Sequence, residues 1–112
     1  MQRPLRLRHR NDFKRLREQG RSWTGAGLLL SVLPNHLPHN RYGFVVGKRL
    51  GNAVQRNRLR RRLREAMRSL DSHLQQGHDL VIVGRQGSNT KSYWDLRETL
   101  ITLVRRAGLW KQ

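Results

Sequence analysis

The chain has 112 residues and a formal net charge of +17, with 24 basic against seven acidic residues. Of the basic residues, 20 are arginine and four are lysine, which favours planar, multidentate phosphate contacts over point-charge attraction. The length allows one domain with a modest core, and the absence of cysteine excludes disulfides, thiolate zinc sites and thiol catalysis. Nucleic acid is therefore the leading expected partner, with an anionic membrane second.

The N-terminal segment is basic and carries no sign of export. No hydrophobic segment approaches the ~20 residues that a membrane-spanning helix needs. The first residues lack the apolar segment and cleavage site of a secretory signal, and the chain from Phe13 onward reads as folded. We expect a cytoplasmic protein that forms a single domain over residues 1–112, with residues 1–10 as a basic arm that is mobile without a partner.

The first predicted element is a short helix. Asn11 or Asp12 can cap it, it runs to Gln19, and Gly20 suits the left-handed position that follows. Phe13 lies on this helix and is able to stack a single-stranded base, although the pattern alone favours an ordinary core phenylalanine.

Two strands follow the helix. Residues 26–33 and 41–47 have the length and composition of strands, and the Pro- and Asn-rich residues between them read as a loop. We predict that the two strands form an antiparallel hairpin.

The next predicted element is an arginine-rich helix. Residues 48–55 lead into it, it ends near Ser72, and seven of the thirteen residues from Arg56 to Arg68 are arginine. At about 100° per residue, one stripe is apolar and the opposite arc is cationic. The stripe contains Leu59, Leu63, Ala66, Met67 and Leu70, and the arc contains Arg60, Arg61, Arg64 and Arg68, flanked by Arg58 and Arg62. A solvated face normally mixes charges of both signs, whereas only Glu65 interrupts this one, so the helix is predicted to lie against a polyanion.

The last predicted elements are a strand and a helix. Residues 79–84 form a continuous apolar strand, as expected inside a sheet that helices cover on one face. Ser92 and Asp95 make a capping pair for a final helix that ends at Gly108, and Trp94 is read as a packing residue of that helix. The predicted fold is an α+β sandwich.

The sequence offers no catalytic constellation. Asp95 and Glu98, the one pair of carboxylates on a common face, are explained by the first turn of a helix. His36 and His39 lie in a loop and read as surface residues rather than metal ligands. Residues 47–51 lack the spacing of a phosphate-binding loop. We therefore expect no catalytic residue in the protein.

The segment GKRLGNAVQRNRLRRRLREAM, residues 47–67, resembles the signature of the bacterial ribonuclease P protein family, including its Arg-Asn-Arg motif. The flanking stretches HRNDFKRLREQGRSW, LLLSVLPN and HDLVIVGR are similar to that family's first helix, strands and late strand, so the resemblance covers roughly residues 6–106. It implies the order α-β-β-β-α-β-α around a small central sheet. It also implies the left-handed βαβ crossover of the ribosomal protein S5 domain 2-like fold, against the usual right-handed rule.

The resemblance implies a function as well. In that family the catalyst is RNA, and the protein is the RNA-binding subunit of an endoribonuclease. The expected partners are the ribonuclease P RNA and the 5′ leader of precursor tRNA, whose removal frees the mature 5′ end. Mg²⁺ is expected at the RNA active site, with no covalently bound cofactor, no small-molecule substrate and no membrane partner.

Site residues are carried over by position. Those implied to face RNA are Lys48, Arg49, Asn52, Arg56, Asn57, Arg58, Arg60, Arg61, Arg64 and Arg68. Those implied to form the leader-binding cleft are Phe13, Arg17, Ser31, Arg56, Asn57 and Arg64. Arg17 and Ser31 stand where relatives can carry aromatic residues, so hydrogen bonding and charge are expected to contribute more to leader recognition here.

Three other functions stay open from the composition. A small basic ribosomal or other structural RNA-binding protein fits equally well, and its RNA partner in a pull-down would distinguish it. A DNA-binding architectural protein would place the arginine-rich helix in a major groove, and preference for folded RNA over duplex DNA would exclude it. An amphipathic membrane helix fits least, because the apolar stripe lacks bulky aromatic residues.

Overall fold

A computed structural model of the chain describes Leu7 and residues 10–111. The helices and strands of this part follow the order α-β-β-β-α-β-α that the resemblance implies. In chain order they are α1 (Arg10–Gln19), β1 (Arg21–Gly25), β2 (Leu28–Pro34), β3 (Arg41–Val46), α2 (Ala53–Leu70), β4 (His78–Gly84) and α3 (Tyr93–Arg106). Short 3-10 turns lie at Lys48–Leu50, Asp71–His73 and Ser88–Thr90. The predicted mixed α+β fold is confirmed.

The sheet has the strand order β1-β2-β4-β3, which makes the predicted hairpin between residues 26–33 and 41–47 wrong. Strand β4 lies between β2 and β3, antiparallel to β2 and parallel to β3. The hairpin instead joins β1 to β2 through Ala26 and Gly27, whose φ angles of 47° and 85° are the positive values that favoured two-residue hairpin turns require. The residue pattern alone did not predict β1, because its five residues, RSWTG, include no apolar run, whereas the order implied by the resemblance includes this strand.

The main core lies between one face of the sheet and the helices α2 and α3. The buried stripe of α2 consists of Leu59, Leu63, Ala66, Met67 and Leu70, as predicted. The sheet contributes Leu28, Leu30, Val32, Leu80 and Ile82, and α3 contributes Leu96, Leu100, Leu103 and Val104. Burial of the apolar stripe leaves the arginines of α2 on the outer side of the molecule.

The other face of the sheet is also covered, in part, by α1. A second cluster joins Leu7, Leu16 and Val81, with Phe13, Leu33 and Val83 packed against it. The sequence predicted helices over one face of the sheet, and the structure places α1 over part of the other face as well. Residues 80–83 of β4 are all apolar because alternate side chains face two separate cores, Leu80 and Ile82 the main core and Val81 and Val83 the second.

The start of α2 is set by a capping box that was not predicted from the sequence. The helix begins at Ala53 rather than Arg56, because Asn52 and Gln55 cap it reciprocally. The backbone N–H of Gln55 donates to Asn52 Oδ1, and the backbone N–H of Asn52 donates to Gln55 Oε1, each at 2.9 Å. The helix ends at Leu70, slightly earlier than predicted.

The predicted ends of α1 need two corrections. Asn11 and Asp12 lie in its first turn and do not precede it as caps, since the helix begins at Arg10. Gly20 is not left-handed. Glycine is needed there because a Cβ would lie 2.5 Å from the carbonyl oxygen of Leu16. Most of the predicted basic arm lies outside the described residues.

The cap of α3 follows the prediction. Ser92 Oγ accepts a hydrogen bond from the Asp95 amide at 3.1 Å, and Gly108, just after the helix, has a φ of 76°. Trp94 was predicted to pack, but 69% of its surface is exposed. That prediction is wrong because position 94 lies on the solvent side of α3, away from Leu96 and Leu100.

Candidate nucleic-acid interface

The outer side of α2 is a cationic surface that carboxylates do not neutralise. Arg58, Arg61 and Arg68 are exposed, and Arg60 and Arg64 are half-buried. Within Leu7 and residues 10–111, every ion pair involves Asp12 or Asp79, and none includes an arginine of α2. We call the residues Arg58, Arg60, Arg61, Arg64 and Arg68 the arginine face.

Two arginines of α2 are held by hydrogen bonds to the protein. Arg60 donates to Asn57 Oδ1 at 2.6 Å and to the carbonyl oxygen of Val46 at 3.4 Å. Arg62 donates to the carbonyl oxygen of Lys91 at 3.1 Å. These bonds restrict the side chains and give the cationic surface a defined shape.

A hollow of about 490 Å³ runs along the arginine face. It is lined by Val54, Asn57, Arg58, Arg60, Arg61 and Arg64. The Nε atoms of Arg56 and Arg64 are shielded from solvent and have no hydrogen-bond partner in the described part of the chain. A donor in that condition is stabilised by an added acceptor such as a phosphate oxygen.

A separate cleft of about 430 Å³ lies on the opposite face of the sheet, beside α1. It is lined by Phe13, Leu16, Arg17, Ser22, Leu29, Ser31, Val45, Val81, Val83 and Arg85. Its floor is mostly apolar, and Arg17 and Arg85 are the two exposed cations that line it. Phe13, Arg17 and Ser31, named from the sequence, therefore lie in one cleft. Arg85 was not predicted from the sequence, although its position directly after a buried strand was a usable signal.

Ser31 lies on the floor of the cleft and is almost fully buried. Its hydroxyl lies 2.8 Å from the hydroxyl of Ser22 on β1. The pair leaves hydrogen-bonding capacity for a ligand, since each hydroxyl has one donor and two acceptor positions.

The six residues predicted for the leader-binding cleft fall into two groups. Arg56, Asn57 and Arg64 do not line the cleft beside α1, because they belong to α2 on the far side of the sheet. Arg64 instead meets Phe13 in a smaller hollow of about 270 Å³ at the edge strand β3. The six residues therefore lie on two surfaces on either side of β3, and Phe13 and Arg64 meet in the smaller hollow between them.

The position of α1 depends on a buried carboxylate. Asp79 is fully buried and accepts two hydrogen bonds from Arg41, at 2.9 and 2.8 Å, and one from Arg15, at 3.3 Å. Asn35 donates to the same carboxylate at 2.9 Å. The hydrogen bonds to Asp79 raise the pKa of Arg41 above its ordinary value. The cluster fixes the first turns of α1 to the sheet, and with them Phe13 and Arg17.

Three further residues that the resemblance implies to face RNA, Lys48, Arg49 and Asn52, follow the carboxyl end of β3, beside the end of β4. Lys48 and Arg49 are exposed and line a hollow of about 750 Å³ that shares Val45, Val83 and Arg85 with the cleft. Asn52 is committed to capping α2, because its side-chain oxygen already accepts the Gln55 amide. Lys48 and Arg49 thus extend the cleft, and Asn52 positions the helix.

The described residues contain neither a metal-binding cluster nor a membrane-spanning helix. No group of three or more His, Cys, Asp or Glu side chains there is arranged to hold a metal ion. No helix in the described range is long and apolar enough to cross a membrane.

An unneutralised arginine face and a basic-rimmed cleft define a nucleic-acid-binding protein. The family model for ribonuclease P matches residues 1–108. The ribonuclease P protein component of Herpetosiphon aurantiacus is 41% identical over 110 residues, which cover 98% of this chain and 89% of that protein. The chain therefore belongs to the ribonuclease P protein family, as the segment 47–67 predicted. It is a ribonuclease component that takes part in tRNA processing.

Solved structures agree with this assignment. The ribonuclease P protein of Staphylococcus aureus superposes with a TM-score of 0.87 at 27% identity, covering 96% of this chain and 98% of that one. The protein of Thermotoga maritima gives a TM-score of 0.83 at 30% identity, covering 90% and 96%. The fold predicted from the resemblance is thus shared with the family.

Proposed function

We propose that this chain binds the ribonuclease P RNA through its arginine face and the 5′ leader of precursor tRNA in the cleft beside α1. It thereby promotes RNA-catalysed endonucleolytic removal of the leader. The observation that carries the proposal is the placement of two basic surfaces of different chemistry on opposite faces of one sheet.

The arginine face suits a folded RNA. Guanidinium groups on a rigid helix have fixed spacings, so they match a fixed arrangement of phosphates. Arg61 and Arg68 are free of ion pairs, and Arg64 Nε lacks a hydrogen-bond partner among the described residues. Phosphate contacts of this kind fix orientation without reading base sequence, as a large structured RNA requires.

The cleft suits a single strand. Phe13 presents an aromatic ring beside an apolar floor, and bases of any identity can stack on such a ring. Arg17 and Arg85 lie where the backbone phosphates of the strand would pass. The Ser22–Ser31 pair stands where an aromatic side chain would add stacking, so charge and hydrogen bonding contribute more here.

Catalysis is assigned to the RNA partner. We place the Mg²⁺ ions of the reaction at the RNA active site, where they would activate water and stabilise the leaving oxygen. The protein's contribution is electrostatic, because a chain of charge +17 lowers the repulsion between two polyanions that must approach each other.

The proposal is tested by precursor-tRNA cleavage with the same organism's ribonuclease P RNA at low Mg²⁺, with and without the protein. We expect strong stimulation by the parent chain and its loss when Arg56, Arg58 and Arg61 are replaced together by alanine. The folded state of the triple variant is checked by circular dichroism. An RNA that is active alone at high Mg²⁺ but not stimulated by the protein would overturn the proposal.

A further inference from the structure

The three tryptophans of the chain differ in what covers their rings. The Arg21 guanidinium lies 5.4 Å from the ring centroid of Trp23. The ring of Trp110 contacts the Arg105 guanidinium at 4.8 Å and stacks on an imidazole at 5.3 Å. These two rings already have cationic or aromatic partners at their faces.

Trp94 has no such cover within the described residues. Its one ring contact is with Tyr93, at 5.0 Å between centroids and an interplanar angle of 83°. A perpendicular contact covers at most one face, and 69% of the residue is exposed. An aromatic face of this size is therefore available to a planar ligand.

Two hydrogen bonds place Trp94 beside α2. Arg62 Nη1 donates to the carbonyl oxygen of Lys91, and Arg97 Nε donates to Ser69 Oγ, each at 3.1 Å. The two helices therefore run side by side in the same direction. Trp94 falls midway between Lys91 and Arg97 along the chain, and its exposure of 69% places it on the solvent side of the contact.

The surroundings of Trp94 are predominantly cationic. At 3.6 residues per turn, Arg58 falls within about 40° of Arg62 on the side of α2 that meets α3. We call Arg58, Arg62, Lys91, Trp94 and Arg97 the Trp94 patch. The neighbouring carboxylates are those of Glu65, Asp95 and Glu98, so four cations are opposed by three anions. Arg58 also lines the hollow of the arginine face, which makes the two surfaces continuous.

We propose that the Trp94 patch binds an unpaired nucleotide of the ribonuclease P RNA, with the base stacked on Trp94 and its flanking phosphates beside Arg58 and Lys91. The proposal rests on the proposed function of the arginine face. The precursor leader is not the ligand, because α3 and the cleft lie on opposite faces of the sheet. An aromatic ring among arginines is the arrangement that single-stranded nucleic acid recognises through stacking and phosphate contacts.

The test compares Trp94→Leu with Trp94→Phe in the full chain, by measuring the Kd for the ribonuclease P RNA. Leucine keeps an apolar side chain but no ring, whereas phenylalanine keeps a stacking face. We expect Trp94→Leu to weaken binding about ten-fold and Trp94→Phe to bind within about three-fold of the parent. Leu37→Ala, which shortens another exposed apolar side chain far from both surfaces, is the control and should bind like the parent.

Three results would overturn the inference. If Trp94→Leu and the parent have equal Kd values while Arg61→Ala still binds the RNA more weakly, the proposal for the Trp94 patch is wrong and the proposed function is unaffected. Unchanged binding in both variants would overturn the proposed function as well. A loss confined to precursor tRNA, absent with mature tRNA, would assign the ring to the substrate. Chemical probing should show one unpaired nucleotide of the RNA that the parent protects and Trp94→Leu exposes.

Discussion

The ring of Phe13 lies directly on the backbone of Gly43, so closely that a Cβ at position 43 would come within 2.7 Å of two ring atoms. The contact joins α1 to the edge strand β3. Phe13 belongs to the second core and also lines the cleft, so both interpretations made from the sequence apply. The position of the ring at the cleft depends on glycine at position 43.

Gly43→Ala is expected to displace the Phe13 ring. Overpacking of this kind costs about 1–3 kcal/mol of stability, and the shifted ring should narrow or misalign the cleft. Urea unfolding measures the loss of stability. The ratio of affinities for precursor and mature tRNA measures the effect of the altered cleft on leader binding. An unchanged ratio in a destabilised variant would show that the ring's position is unimportant for the leader.

Phe13→Ala is expected to weaken the binding of precursor tRNA about ten-fold through loss of stacking on a leader base. Mature tRNA, which has no leader, should bind the enzyme assembled with the variant as tightly as it binds the enzyme assembled with the parent chain. Equal losses for the two RNAs would count against a leader contact. Phe13→Leu fills much of the core volume without an aromatic face, so it is the control that separates loss of stacking from loss of core packing.

Arg61→Ala is expected to weaken binding of the ribonuclease P RNA and to reduce the salt dependence of that binding. One lost phosphate contact lowers the slope of log K against log salt by about 0.7–0.9. Lys111→Ala removes the same charge away from α2 and should leave the slope nearly unchanged. Equal slopes for the two variants would mean that the arginine face acts only through net charge.

Asp79→Ala is expected to destabilise the fold by about 3 kcal/mol, because it removes the two-point carboxylate partner of the partly buried Arg41 and leaves only the 3.5 Å contact with Asp12. Arg41→Lys keeps the charge but loses the two-point contact, so it should cost less. Urea unfolding measures both. Since the cluster fixes α1, Asp79→Ala should also weaken leader binding in protein that remains folded. A variant as stable as the parent would show that the cluster contributes little.

The sequence predicted α2 well because its evidence is local. Leu59, Leu63 and Ala66 recur at the spacing of one helical face, and the arginines fill the other. The sequence also identified Phe13, Arg17 and Ser31 as neighbours, but only through the family resemblance. Local patterns carry no information on which elements meet.

The remaining features depend on contacts between distant segments. Arg15 and Asp79 are separated by 64 positions, and Arg41 and Asp79 by 38. The insertion of β4 between β2 and β3 is a choice of pairing partner, which strand composition does not encode. Arg85 joins the cleft only because β4 lies at the centre of the sheet.

The most direct test of the account asks which RNA lies at each face. The chain contains no cysteine, so Arg17→Cys and Arg61→Cys each introduce a unique attachment point for a photo-crosslinker. With the assembled enzyme and precursor tRNA, position 17 should crosslink to the leader and position 61 to the ribonuclease P RNA. Crosslinking of both positions to the same RNA would contradict the assignment of two partners to two faces.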